Sequence, residues 1–115
     1  MDGVLVTQTR GYLGTYVASD SSTAQVTLGV RVSNSQYFEG NIDEVSIFER
    51  ELSSTEVSAI YNSGTPTDLS GEGAMVGWWR MGDGATYPII PDQSGNPNNA
   101  LMINMSSSDI ETEVP

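Results

Sequence analysis

Only one stretch of this chain, residues 53–64, carries the start and stop signals of a helix. Elsewhere short apolar runs end at Gly, Pro, Asn or Asp, the punctuation of strands and turns. A chain patterned this way buries its apolar residues by layering sheets, so the expected fold class is mostly β with one short helix. At 115 residues it supports one modest core and no second independent one.

Residues 26–32 alternate cleanly. Val26, Leu28, Val30 and Val32 share one face, and Thr27, Gly29 and Arg31 the other, as in a half-buried strand. Residues 11–17 carry Tyr12, Leu13, Tyr16 and Val17 ahead of the polar stretch 19–22, which suggests a strand and a hairpin connection. After the Gly40-Asn41 turn signal, residues 42–48 read as a strand with Asp43 on the same face as Val45 and Ile47. A carboxylate there costs several kcal/mol if buried without a partner, so Asp43 should be hydrogen-bonded, metal-bound or at the strand's wet end.

Ser53-Ser54-Thr55-Glu56 fits a capping box, with Leu52 and Val57 placed to form a hydrophobic staple. Val57, Ile60 and Tyr61 make a narrow apolar stripe that should lie against a sheet, and Gly64 before Pro66 should end the helix. Residues 65–73 have no periodicity and read as a linker. Residues 75–81, with Trp78 and Trp79, suit a buried strand, and residues 82–84 a turn. Residues 92–99 form a loop dense in carboxylate and amide groups, 100–105 a further strand, and 106–115 a weakly structured acidic tail.

Fifteen acidic residues against four arginines and no lysine give a formal charge of −11, which repels a nucleic-acid backbone and an anionic bilayer alike. No run of about twenty apolar residues exists to span a membrane, so neither nucleic acid nor membrane insertion is expected. With no His and no Cys, the Ser-His and Cys-His nucleophile systems and His- or thiolate-bound metals are excluded. The first residues lack the basic and apolar regions of a signal peptide, so an extracellular location is expected by another route, such as release with a viral particle.

Residues 37–48, followed by Leu52-Ser53-Ser54-Thr55-Glu56-Val57 and Tyr61-Asn62-Ser63-Gly64, resemble the closing segment of a laminin-G-like domain of the concanavalin A-like lectin/glucanase superfamily. Residues 76–84 and 92–101 resemble the opening segment of such a domain, with Pro97 and Ala100 standing where the family usually has Gly. The resemblance implies residues 1–64 as a closing half, 65–73 as a linker, and 74–115 as an opening segment plus acidic tail. It implies an antiparallel jelly-roll-type β-sandwich. Closing before opening implies a chain cut from a tandem array, permuted, or completed by neighbouring chains. Family members use about a dozen strands, roughly twice the candidates here, so a partial sandwich with edges open to partners is expected. The texture of residues 77–84, on an acidic, lysine-free background, is similar to particle-surface proteins of bacteriophages of marine bacteria.

The superfamily often holds a structural calcium between the opening loop and the last strand. The resemblance points to Asp43, Asp92, Gly95 and Asn96 as metal ligands, and an Asp/Asn-rich loop can supply the oxygens that Ca²⁺ takes. The competing reading is that Asp43 caps a turn or accepts backbone hydrogen bonds. Trp78 and Trp79 are candidates to stack on a sugar, but neighbours on a strand point to opposite faces, so at least one belongs to the core. No Glu-x-Asp-x-Glu run of the glucanase type occurs, and Glu39, Asp43 and Glu44 do not share a strand face. No catalytic residue is expected. The function expected is a non-catalytic structural or adhesive protein of an extracellular particle, a phage virion, oligomerising with neighbouring chains. The alternative is a calcium-assisted, lectin-like module that binds a glycan.

Overall fold

The structure, a computed structural model, describes residues 25–30 and 36–111. These fall into two compact units, one holding residues 42–111 and the other residues 25–30 and 36–41. The expected strand at 11–17 and the loop at 19–22 lie outside the described residues, as do Arg31, Val32 and the last four residues of the tail.

In the smaller unit the alternation of residues 26–32 does not produce a strand over its described part. Gly29 takes φ +73°, a left-handed conformation that breaks an extended run, and Val26 is 76% exposed. Pairing is limited to an isolated antiparallel bridge between Val30 and Tyr37, with the Phe38 N–H donating to Gly29 O at 2.8 Å.

The larger unit holds two two-stranded antiparallel sheets and one short helix. Strand β1, Val45–Phe48, pairs with β2, Met75–Trp79, in the register Val45 to Trp79, Ser46 to Trp78 and Ile47 to Gly77, with a bulge before Phe48 meets Met75. The ladder therefore joins residues on either side of segment 65–73. β1 starts later than expected because Glu44 adopts φ +49°, and β2 stops before Met81, which at φ +42° opens the turn at 81–84. That turn is closed by Asp83 N–H to Arg80 O at 3.0 Å and Ala85 N–H to Gly82 O at 3.3 Å.

Helix α1, Ser54–Tyr61, begins at the expected capping box. The Ser53 hydroxyl accepts the Glu56 N–H, and a Glu56 carboxylate oxygen accepts the Ser53 N–H at 2.7 Å. Arg50, 2.7 Å from the other Glu56 oxygen, is the main cause holding the Glu56 carboxyl down to about 2, with Ser53 second. The helix ends earlier than Gly64: Asn62 takes the left-handed cap position at φ +41°, and a short 3₁₀ turn, Asn62–Gly64, follows. None of its residues is buried, so the apolar stripe is only partly covered. The Thr67 hydroxyl donates to Ala59 O and Ile60 O at 3.2 and 3.0 Å, satisfying carbonyls that a helix C-terminus leaves unpaired.

Strand β3, Ile89–Ile90, which the sequence pattern did not suggest, pairs with β4, Ala100–Leu101. β4 is shorter than the apolar run 100–105, in which Asn104 at φ +57° turns the chain. The described part of the tail is ordered into a 3₁₀ turn, Ser107–Asp109, where Asp109 accepts from the Ser106 N–H and hydroxyl at 2.7 and 3.0 Å.

The core of the described residues is small: Trp78 at 2% exposure, Leu69 at 3%, Met102 at 7% and Trp79 at 8%. Residues 65–73 carry no helix or strand, yet Leu69 drops from them into this core. Each buried indole contributes up to about 4–6 kcal/mol, so the two tryptophans dominate its hydrophobic stabilisation. Gly77 has a packing reason to be glycine, since a Cβ built there would lie 2.7 Å from Cζ2 of the Trp79 ring. Gly77→Ala should lower unfolding stability by about 1–3 kcal/mol through overpacking, read by urea titration of tryptophan emission. An unchanged midpoint would mean that the ring does not fold back over Gly77.

Candidate functional site

Strand β2 organises the polar chemistry of the larger unit, because its two edges are completed by different means. β1 takes one edge. On the other, the Gln93 N–H donates to Trp78 O at 2.8 Å and the Trp78 N–H donates to Asp92 Oδ1 at 3.0 Å. Further along, Asn96 Nδ2 donates to Met75 O and Val76 O at 2.9 and 3.1 Å, and Asn98 Nδ2 to Val76 O at 2.8 Å. Side chains of the loop thus stand in for a neighbouring strand. The density of amides and carboxylates at 92–99 satisfies an edge that would otherwise present unpaired backbone groups.

Asp92 Oδ1 also accepts the Ser94 N–H at 2.9 Å, whereas Oδ2 is buried without a hydrogen bond. Burial raises the affinity of this carboxyl for a proton, but the Ser94 hydroxyl and the N–H dipoles of Trp78, Ser94 and Asn98 outweigh it, and the pKa lies below the ordinary aspartate value. Gly95, at φ +89°, makes the bend that a side chain would disfavour.

A second cluster forms where β1 and β2 meet. Glu44 forks its carboxylate between Arg80 Nε and Trp78 Nε1, both at 2.8 Å. Arg80 reaches on to Asp83 at 2.8 Å, brought within range by the turn at 81–84, and its guanidinium carbon lies 5.5 Å from the centre of the Trp78 ring. The Arg80 pKa is raised, first by the Glu44 hydrogen bond. Asp43 lies beside this cluster and accepts the Glu44 N–H at 2.9 Å. Burial pushes its pKa up, the backbone hydrogen bond pulls it down, and the charges of Glu44 and Asp83 add to the rise against Arg80; the net shift is upward.

The expected ligand set therefore divides in its contacts. Asp92, Gly95 and Asn96 lie in one loop along β2, while Asp43 accepts the Glu44 N–H. Among the described residues no three acidic side chains form a group that would hold a metal ion. Trp78 and Trp79 are both buried and both N–H groups are taken, by Glu44 and by Asn98 O at 2.8 Å, so neither offers an open ring face to a sugar. Sequence reasoning did not single out Glu44 or Arg80 as partners. The only local signal was their proximity to Asp43 and Trp78, and the pairing depends on the strand register.

A family model described as the concanavalin A-like lectin/glucanases superfamily matches residues 1–58, half of the chain, which includes β1 and the start of α1. No curated protein and no solved structure gave a match.

A carboxyl with a raised folded pKa binds its proton more tightly in the folded state, so its contribution to stability falls as pH rises from about 3.8 through that folded value. Asp43→Asn keeps an oxygen for the Glu44 N–H and removes the charge. The variant should be more stable than the parent at pH 7, with the difference shrinking as pH falls towards 3, as followed by thermal melts across that range. A variant less stable at pH 7 would show that the charge of Asp43 is needed.

Proposed function

Because the chain belongs to the concanavalin A-like lectin/glucanases superfamily, we propose that it is a non-catalytic structural or adhesive module of an extracellular assembly. In this reading it contributes to an antiparallel jelly-roll-type β-sandwich and joins neighbouring protein chains through surface that its own sheets leave uncovered. The observation that carries it is a sheet face left apolar and open: Ile89 and Leu101, a cross-strand pair, are 40% and 57% exposed. Antiparallel sheets that face water normally turn polar residues outward. The setting proposed is a particle surface, a phage virion, on the sequence texture of residues 77–84.

The state of three carboxylates around β2 supports a non-catalytic role. Glycoside hydrolysis needs a carboxylic acid of raised pKa and a second free carboxylate across a cleft. Glu44 has both oxygens engaged, Asp92 is lowered by its neighbours, and Asp43, which is raised, has its Oδ1 on a backbone N–H.

One atom favours a second reading, a calcium-assisted carbohydrate-binding module. The buried Asp92 Oδ2 lacks a hydrogen-bond partner, and a cation would satisfy it, with Gly95 and Asn96 in the same loop and Asp43 as the fourth expected ligand.

Light scattering of the purified chain, with and without millimolar calcium, combined with a glycan array, separates the two. A mass above the monomer together with a blank array is the expected result. A strict monomer that retains saccharides only in calcium would overturn the assembly reading in favour of the lectin.

A further inference from the structure

Asp-Gly pairs stand at residues 2–3 and 83–84 of the sequence, and the second lies among the described residues. Glycine leaves the peptide nitrogen after an aspartate without a side chain to shield it, and its backbone freedom lets that nitrogen approach the aspartate's own carboxyl carbon. We propose that Asp83-Gly84 is a site of spontaneous covalent modification, at which the folded chain converts aspartate to isoaspartate through a succinimide.

The turn at 81–84 supplies what this reaction needs. Gly84 is exposed and takes φ +75°. Its N–H donates to no acceptor, so the nitrogen has no hydrogen bond to give up. A Cβ built on Gly84 would meet only Pro91 Cγ at 3.8 Å and Gln93 Nε2 at 3.9 Å, so the nitrogen is not crowded by its surroundings. The Asp83 side chain is 35% exposed, open to the proton and the water that the reaction exchanges. The other aspartates of the described residues precede Glu44, Leu69, Gln93 and Ile110, whose side chains hinder the same attack.

The steps balance without an oxidant or reductant. The Gly84 nitrogen attacks Cγ of the protonated Asp83 carboxyl. An N–Cγ bond forms, the Cγ–OH bond breaks, and the hydroxyl leaves with the nitrogen's proton as water. Water then adds to either carbonyl of the ring. Opening at the N–Cγ bond restores aspartate, whereas opening at the original peptide bond routes the main chain through Cγ and gives isoaspartate.

Two contacts restrain the first step. Arg80 Nη2 holds Asp83 Oδ2 at 2.8 Å, and Gln93 Nε2 donates at 3.0 Å to Asp83 O, the carbonyl of the peptide group whose nitrogen attacks. The reaction therefore proceeds through local opening of the turn, with the rest of the larger unit folded. In the product the carboxylate sits directly on Cα and the main chain is longer by a methylene. The pair with Arg80 loses its geometry, and the arginine keeps Glu44.

Ageing the full chain in warm neutral buffer, followed by tryptic mapping, tests the site. Arg80 is the last basic residue, so cleavage there releases residues 81–115, in which fragmentation locates an isoaspartate. Asp83→Glu keeps a carboxylate for Arg80 but cannot close the same ring. Gln93→Ala removes the side-chain hold and leaves the Gln93 N–H on Trp78 O. Unchanged tryptophan emission checks that both variants fold. The expected result is isoaspartate accumulating at position 83 in the parent, preceded by a species lighter by one water, none at that position in Asp83→Glu, and several-fold faster conversion in Gln93→Ala. A parent that keeps the ordinary linkage while a free peptide of residues 81–92 converts would overturn the site in the folded chain. Equal rates in the parent and Gln93→Ala would overturn the restraint by Gln93.

Discussion

Burying a tryptophan-bearing strand obliges the chain to satisfy every polar group on it, and that obligation organises the larger unit. The indole N–H of Trp78 goes to Glu44 and that of Trp79 to Asn98 O. The outer edge of β2 is met by Asp92, Gln93, Asn96 and Asn98. An unsatisfied buried donor or acceptor costs about 1–3 kcal/mol, comparable with a substantial part of a small domain's net stability, so these partners are conditions of the fold.

The same demand ties the polar side chains around β2 to one another. Glu44, Arg80 and Asp83 form a connected group that clamps β1 to the end of β2 and lays a guanidinium over the Trp78 ring. The Glu44 carboxylate is committed to an arginine and an indole. The Asp/Asn-rich loop, which in isolation looks like a ligand shell, spends much of its hydrogen-bonding capacity as a surrogate strand.

Charge and apolarity are separated along the chain, and this separation gives the surface its character. The acidic residues that set the net charge are nearly absent from residues 84–108, where the outward face of β3 and β4 is apolar. Among the described residues the buried core consists of Trp78, Trp79, Leu69 and Met102.

Local physics was legible in the residues themselves. The capping box at Ser53 and Glu56, the turn after β2, the loop at 92–99 and the buried character of residues 75–79 each depend on neighbours in the chain. The family resemblance of the first half was legible for the same reason, as a continuous run of side chains. Contacts between distant residues were decided only by tertiary structure: the pairing of β1 with β2, the two-residue β3, Leu69 entering the core from a segment read as a linker, and Glu44 as the partner of Trp78 and Arg80. Each joins residues far apart in sequence, and strand register has no local code. Where the alternation of residues 26–32 met a left-handed Gly29, or the run 100–105 met a left-handed Asn104, backbone conformation overrode the pattern of side chains. Sequence by itself determined which segments are apolar, capped or turned; tertiary structure decided which polar groups each of them must satisfy, because that depends on which strand lies next to which.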